Sequence, residues 1–95
     1  MSSHSYISNT KNEEIFININ GELFHRSEAK ISVFDSGFLL GDGVWEGIRL
    51  HKSKLVFIED HIDILFESAK GISLNISYSK QEIIHQINKV LDKNK

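Results

Sequence analysis

The sequence predicts an α+β domain, an antiparallel β-sheet with two α-helices packed on one face. Three observations point to it. Apolar residues alternate with a period of two near the N-terminus, on either side of an Asn-Gly turn. A glycine-rich stretch then leads into a second run of strand character. The last third of the chain changes twice to a helical period. Strands first and helices after is the order expected of helices gathered on one side of an antiparallel sheet.

Residues 1–14 are polar and without periodicity, and read as a flexible leader to a domain spanning 15–95. From Ile15 to Ile19, the three isoleucines point one way and Phe16 and Asn18 the other, so the isoleucine face is expected to be buried. Asn20-Gly21 supplies two residues that tolerate positive φ, the requirement of a two-residue hairpin. Glu22 to His25 returns as the second strand, with Leu23 and His25 on one face. Asp35-Ser36-Gly37 and Gly41-Asp42-Gly43 are turn signals, and Phe38-Leu39-Leu40 between them predicts a single helical turn acting as an apolar plug. Val44 to Leu50 reads as a strand, residues 51–54 as its turn and Leu55 to Ile58 as its return. Asp60 is a suitable N-cap for a helix with Ile62, Leu65, Phe66 and Ala69 on one face and Gly71 at its end. Ser79-Lys80-Gln81-Glu82 is a capping box, and Ile83, Ile84, Ile87, Val90 and Leu91 form the apolar face of the helix that follows it.

Composition narrows the function without giving it. At 95 residues the chain is one domain or part of one. A net charge of -2 offers no electrostatic reason to bind nucleic acid. No apolar run is long enough to cross a bilayer, and the first residues lack the basic start and apolar core of a signal peptide. The cytoplasm is therefore the expected setting. Cysteine is absent, which removes disulfides and thiolate chemistry. The five histidines are scattered with no pair at helical spacing, so they read as surface or satisfied side chains, and no metal site is expected.

The stretch from Val33 to Leu50 holds four of the six glycines, the only tryptophan and three carboxylates. Gly41-Asp42-Gly43 leads into a strand, so it lacks the helix N-terminus of a phosphate-binding loop and reads as a tight turn. Trp45 in an apolar strand reads either as core packing or as a pocket wall. Trp45, Gly47 and Arg49 share one face, an arrangement suited to an anionic, partly apolar ligand; Glu46 lies on the other face. All nine lysines stand in polar or turn contexts, unlike the desolvated lysine that forms a Schiff base. The residues by themselves show no nucleophile and no paired acid and base.

N-G-E-L at Asn20 to Leu23, D-S-G-F-L-L-G-D-G-V-W-E-G-I-R at Asp35 to Arg49, and E-D-H-I-D-I-L-F-E-S-A-K at Glu59 to Lys70 occur in order and at suitable spacing. Together they resemble the N-terminal domain of the class IV, fold-type IV aminotransferases, which include branched-chain and D-amino acid aminotransferases and aminodeoxychorismate lyase. The resemblance covers nearly all of residues 15–88. It implies pyridoxal phosphate held between two domains, a homodimer, and amino-group transfer between an amino acid and a 2-oxo acid. By position, Trp45 matches the pocket-lining aromatic and Arg49 the basic residue near the site. Ile64 stands where the family's phosphate-binding arginine is expected, so no cofactor-binding residue carries over.

The resemblance also implies further strands and a second, lysine-bearing domain that these 95 residues do not contain. No catalytic residue carries over, and the expected result is a chain inactive alone. It is then completed as a homodimer or by a complementing chain. The alternatives are a non-catalytic relic or dimerising interaction module, and a fragment of a lyase-like relative using the same cofactor.

Overall fold

A computed structural model describes residues 12–94. The α+β class holds, as two small antiparallel ribbons and three helices. In order the elements are β1 (Phe16–Ile19), β2 (Glu22–His25), α1 (Ser36–Leu40), β3 (Leu50–His51), β4 (Lys54–Leu55), α2 (Ile58–Gly71) and α3 (Lys80–Lys93). The antiparallel pairing is divided between β1–β2 and β3–β4.

The first hairpin forms as its turn dictates. Asn20 and Gly21 take φ of 54° and 89°, the left-handed values that let a two-residue turn follow the strand twist. Asn18 Oδ1 accepts from the Gly21 N–H at 2.8 Å and closes the turn from inside. The register pairs Phe16 with His25 and Asn18 with Leu23, so these four share a face. That face meets α3. Phe16 stacks edge-on against His25 and lies 4.4 Å beneath the Lys93 ammonium, while Asn18 donates to Gln86 at 2.8 Å. The isoleucine face, expected to be buried, is no more than half-covered, with Ile17 exposed. Polar attachments to α3 have decided which side of the ribbon packs.

Asn94, the C-cap of α3, completes that attachment. Its carboxamide accepts from the Phe16 N–H at 2.6 Å and donates to the Phe16 carbonyl at 2.9 Å. These two backbone groups point away from β2, so the amide occupies the place of a neighbouring strand and closes the ribbon's edge at that point. Residues 12–14, at the end of the expected leader, turn back on the hairpin. Arg26 Nη1 donates to the Asn12 carbonyl at 2.8 Å and His25 lies 3.3 Å from Glu14. The rest of the leader, residues 1–11, lies outside the described span.

Helix α2 starts two residues before the expected Asp60 cap. The N-cap is Phe57, in the left-handed region at φ 52° and without a side-chain cap. The chain leaves β4 directly into the helix, which places Glu59 and Asp60 in the first turn, where the helix dipole favours carboxylates. The expected apolar face is the observed one. Ile62 and Ala69 are buried at 1% and 2% exposure, and Leu65 and Phe66 are half-buried. Helix α3 carries the capping box, with Ser79 Oγ accepting from the Glu82 N–H and Glu82 accepting from the Ser79 N–H, each at 3.1 Å. Its apolar residues Ile83, Ile84, Ile87, Val90 and Leu91 are all half-buried.

Ile62 and Ala69 are the only fully buried apolar residues described. The accessible surface is 7974 Å², where a compact chain of 10.9 kDa exposes about 5,600 Å². Apolar side chains are left open along much of the described chain. Ile31, Val33, Phe34, Phe38, Leu39, Leu40, Trp45, Leu50 and Phe57 are all exposed.

Two outcomes follow from the capping box. Ser79→Ala should destabilise α3 by about 1 kcal/mol, read as a lower urea midpoint of the helical circular-dichroism signal. Hydrogen bonds from the Ser79 backbone and then its hydroxyl hold the Glu82 carboxyl below its ordinary value of 4.5. Its contribution is therefore complete above that value and is lost as pH falls through the lowered folded-state value. Glu82→Gln should flatten the acid side of the stability profile, and an unchanged profile would contradict this.

Candidate functional site

The glycine-rich stretch begins with a helical turn that is capped by its own sequence. Asp35 caps α1, its carboxylate accepting from the N–H groups of Gly37 at 2.9 Å and Phe38 at 3.3 Å. Gly41 ends the helix at φ 70°, a conformation that glycine adopts without steric cost. The three N–H groups of the Gly41-Asp42-Gly43 turn are all used locally. Those of Gly41 and Asp42 donate to the Ser36 carbonyl and that of Gly43 to the Gly41 carbonyl. None is aimed outward as a phosphate-binding nest would require, which agrees with reading the triplet as a turn. The apolar residues of α1 plug nothing within this chain, since Phe38, Leu39 and Leu40 are all exposed.

After the turn the chain runs through residues 44–49 without joining a sheet; the expected strand is realised only at Leu50. Its alternation nevertheless survives. Val44, Glu46 and Ile48 are half-buried, whereas Trp45, Gly47 and Arg49 are exposed. The expected sharing of a face is therefore met by the two candidate pocket residues. Trp45 is 83% exposed, so its indole is not core packing. The ring lies back over Gly47, where a Cβ would come within 3.5 Å of it. No carboxylate pairs with Arg49 among the described residues.

Glu46, on the inward side, meets α2. Its Oε1 lies 2.7 Å from His61 Nδ1, with both side chains largely shielded from water. The sequence held a signal for this pair that was passed over. A carboxylate on the buried side of an alternating run has to find a donor, and His61 sits near the start of the next helix.

Ile64 lies on the outer side of α2 at 48% exposure, off the face formed by Ile62, Leu65, Phe66 and Ala69. Its neighbours one turn away are Asp60, His61, Glu67 and Ser68. Two are carboxylates, and His61 is engaged with Glu46 through Nδ1. The next acidic side chain, Asp63, is held by Lys80 at 2.8 Å. A phosphate dianion needs convergent donors and a positive field, and the surroundings of Ile64 offer neither. The residues present do not fit the phosphate of pyridoxal phosphate at this position.

Every lysine described is exposed, and no group of three or more histidines and carboxylates stands close enough to hold a metal ion among the described residues. An open groove of about 800 Å³ lies beside α2, lined in part by Phe66, Lys70, Leu74, Ile76 and Lys80. It includes none of Trp45, Arg49 and Ile64. No helix of the described residues is long and apolar enough to cross a membrane.

No protein-family model matches the chain. Curated proteins do. The chain is 44% identical over 68 residues, 72% of its length, to a Methanocaldococcus jannaschii protein assigned as a branched-chain-amino-acid aminotransferase, of which the match covers 24%. It is 40% identical over 82 residues, 86% of its length, to a D-alanine aminotransferase of Staphylococcus aureus, covering 28% of that protein. It is 37% identical over 81 residues, 85% of its length, to branched-chain-amino-acid aminotransferase-like protein 1 of Arabidopsis thaliana, covering 15% of it. The chain thus spans about a quarter of the length of these relatives, or less.

Trp45 is the only tryptophan, so the fluorescence of the isolated chain should be that of a water-exposed indole and should be quenched freely by acrylamide. A blue-shifted, protected emission would contradict the exposed placement.

Proposed function

The chain belongs to the aminotransferase family of the relatives it matches, and on that premise we propose that it forms one wall of a class IV, pyridoxal-phosphate-dependent site that a second domain completes. The observation that carries this reading is the outward face of Trp45, Gly47 and Arg49. An exposed indole on the same face as a guanidinium without a carboxylate partner among the described residues suits the apolar side chain and carboxylate of an amino acid. The reaction would move an amino group between a branched-chain or D-amino acid and a 2-oxo acid. The Schiff-base lysine, the partner of the pyridine nitrogen and the rest of the phosphate site belong to the second domain in this reading, because Ile64 and its acidic neighbours offer the phosphate no donor.

The proposed assembly is a complex with a lysine-bearing chain or domain, or a homodimer of such units, in the cytoplasm. The many exposed apolar side chains between Ile31 and Leu50 support a partner, since large exposed apolar surface is what an interaction site offers. A second reading, a non-catalytic dimerising module, is favoured by Ile64 in the place of the expected arginine.

The two are separated by reconstitution. The chain alone, mixed with pyridoxal phosphate and borohydride, should give no trapped lysine adduct; a stoichiometric adduct would overturn the proposal. Co-expressed with the part of the Staphylococcus aureus relative outside the matched segment, it should turn over amino acids, and Trp45→Ala should lower kcat/KM about tenfold, equivalent to about 1.4 kcal/mol. A stable dimer without turnover in any combination would select the second reading. In the active complex Ile64→Arg should improve cofactor retention; unchanged retention would mean that α2 does not face the phosphate.

A further inference from the structure

Residues 44–49 keep the alternation of a strand without a strand beside them. In a sheet, that alternation is imposed by the ladder of backbone hydrogen bonds. Here the backbone hydrogen bonds among the described residues stop at Gly43 and resume at the Arg49 carbonyl, which accepts from the Val56 N–H at 2.9 Å. Between these points the one hydrogen bond among the described residues is made by side chains, at the midpoint of the span, from His61 Nδ1 to Glu46 Oε1 at 2.7 Å. The histidine is rigidly placed. It lies on α2 next to Ile62, which is among the most completely buried residues of the chain.

We propose that Glu46 and His61 are a positioning pair that sets the direction of Trp45 and Arg49, in place of a strand ladder. The purpose of the pair rests on the pocket-wall reading above; its geometry does not. Side chains along an extended segment alternate with a period of two, so fixing one residue inward fixes its neighbours outward. Tying Glu46 to α2 turns Trp45, Gly47 and Arg49 to the open side together. Rolling the segment over would break the bond, leave a shielded carboxylate without a donor, and put Val44 and Ile48 in water. His61 acts on one side of α2 while Ile64 lies on the outer side, so the latch is separable from any cofactor contact.

Trp45, as the only tryptophan, reports its own freedom in a time-resolved fluorescence anisotropy measurement on the 95-residue chain, with no cofactor or substrate added. In the wild-type chain most of the decay should follow overall tumbling. Glu46→Ala and His61→Phe should each raise the sub-nanosecond component about twofold, and the double variant should be no worse than either single one. Glu46→Gln, which retains an oxygen acceptor for the imidazole N–H, should restore the wild-type decay. A merely structural role would lower the melting temperature of Glu46→Ala and leave the anisotropy unmoved, and that result would overturn the proposal. Should either variant lose the helical circular-dichroism signal, the wild-type chain decides. A slowly exchanging His61 ring N–H in its proton NMR spectrum supports the pair, and its absence refutes it. Loosened Trp45 with undiminished turnover in the reconstituted complex would uphold the latch and reject the pocket wall.

Discussion

Helix α2 is the element on which the rest depends, because it holds the only fully buried apolar side chains described. Ile62 and Ala69 lie seven residues apart on one face, and α3, the first hairpin and the segment around Glu46 take their places from α2 or from its neighbour α3. Asp63 holds α3 through Lys80, and α3 holds the first hairpin through Gln86, Lys93 and Asn94. His61 holds the glycine-rich stretch through Glu46. These attachments are polar. Apolar burial, usually the main force in folding, is confined to one short seam.

A thin core and a broad apolar surface are two sides of one constraint. The apolar residues that would thicken the core, from Ile31 through Leu50 and on to Phe57, are exposed side chains. Their pattern is not that of a disordered segment. α1 is capped at both ends, the turn after it satisfies its own amides, and the run through Trp45 keeps its alternation. The chain spans only about a quarter of the length of its relatives, and it is for this uncovered surface that a completing domain is proposed.

Local signals in the sequence were legible and non-local ones were not. The Asn20-Gly21 turn, the Ser79–Glu82 box and the apolar face of α2 each depend on residues within a few positions of one another, and each formed as expected. Alternation from Val44 to Arg49 correctly told which residues share a face. It could not tell that no strand would pair with them, because pairing depends on a partner elsewhere. That α3 engages Phe16 and Asn18 of β1 was hidden for the same reason, since Gln86, Lys93 and Asn94 lie some 70 to 80 residues away. Of the candidate site, the shared exposure of Trp45 and Arg49 was legible. The Glu46–His61 link, which spans a turn and two short strands, was not read.

The surface around Trp45 is proposed as an interface for a completing domain. Hydroxyl-radical footprinting of the chain, free and mixed with the part of the Staphylococcus aureus relative outside the matched segment, reads that surface residue by residue. Phe34, Phe38, Trp45 and Phe57 should become protected together, while Tyr78, just before α3, should remain as reactive as before. Protection of Tyr78 with the four others unchanged would contradict it, and so would a complex that leaves Trp45 fully exposed.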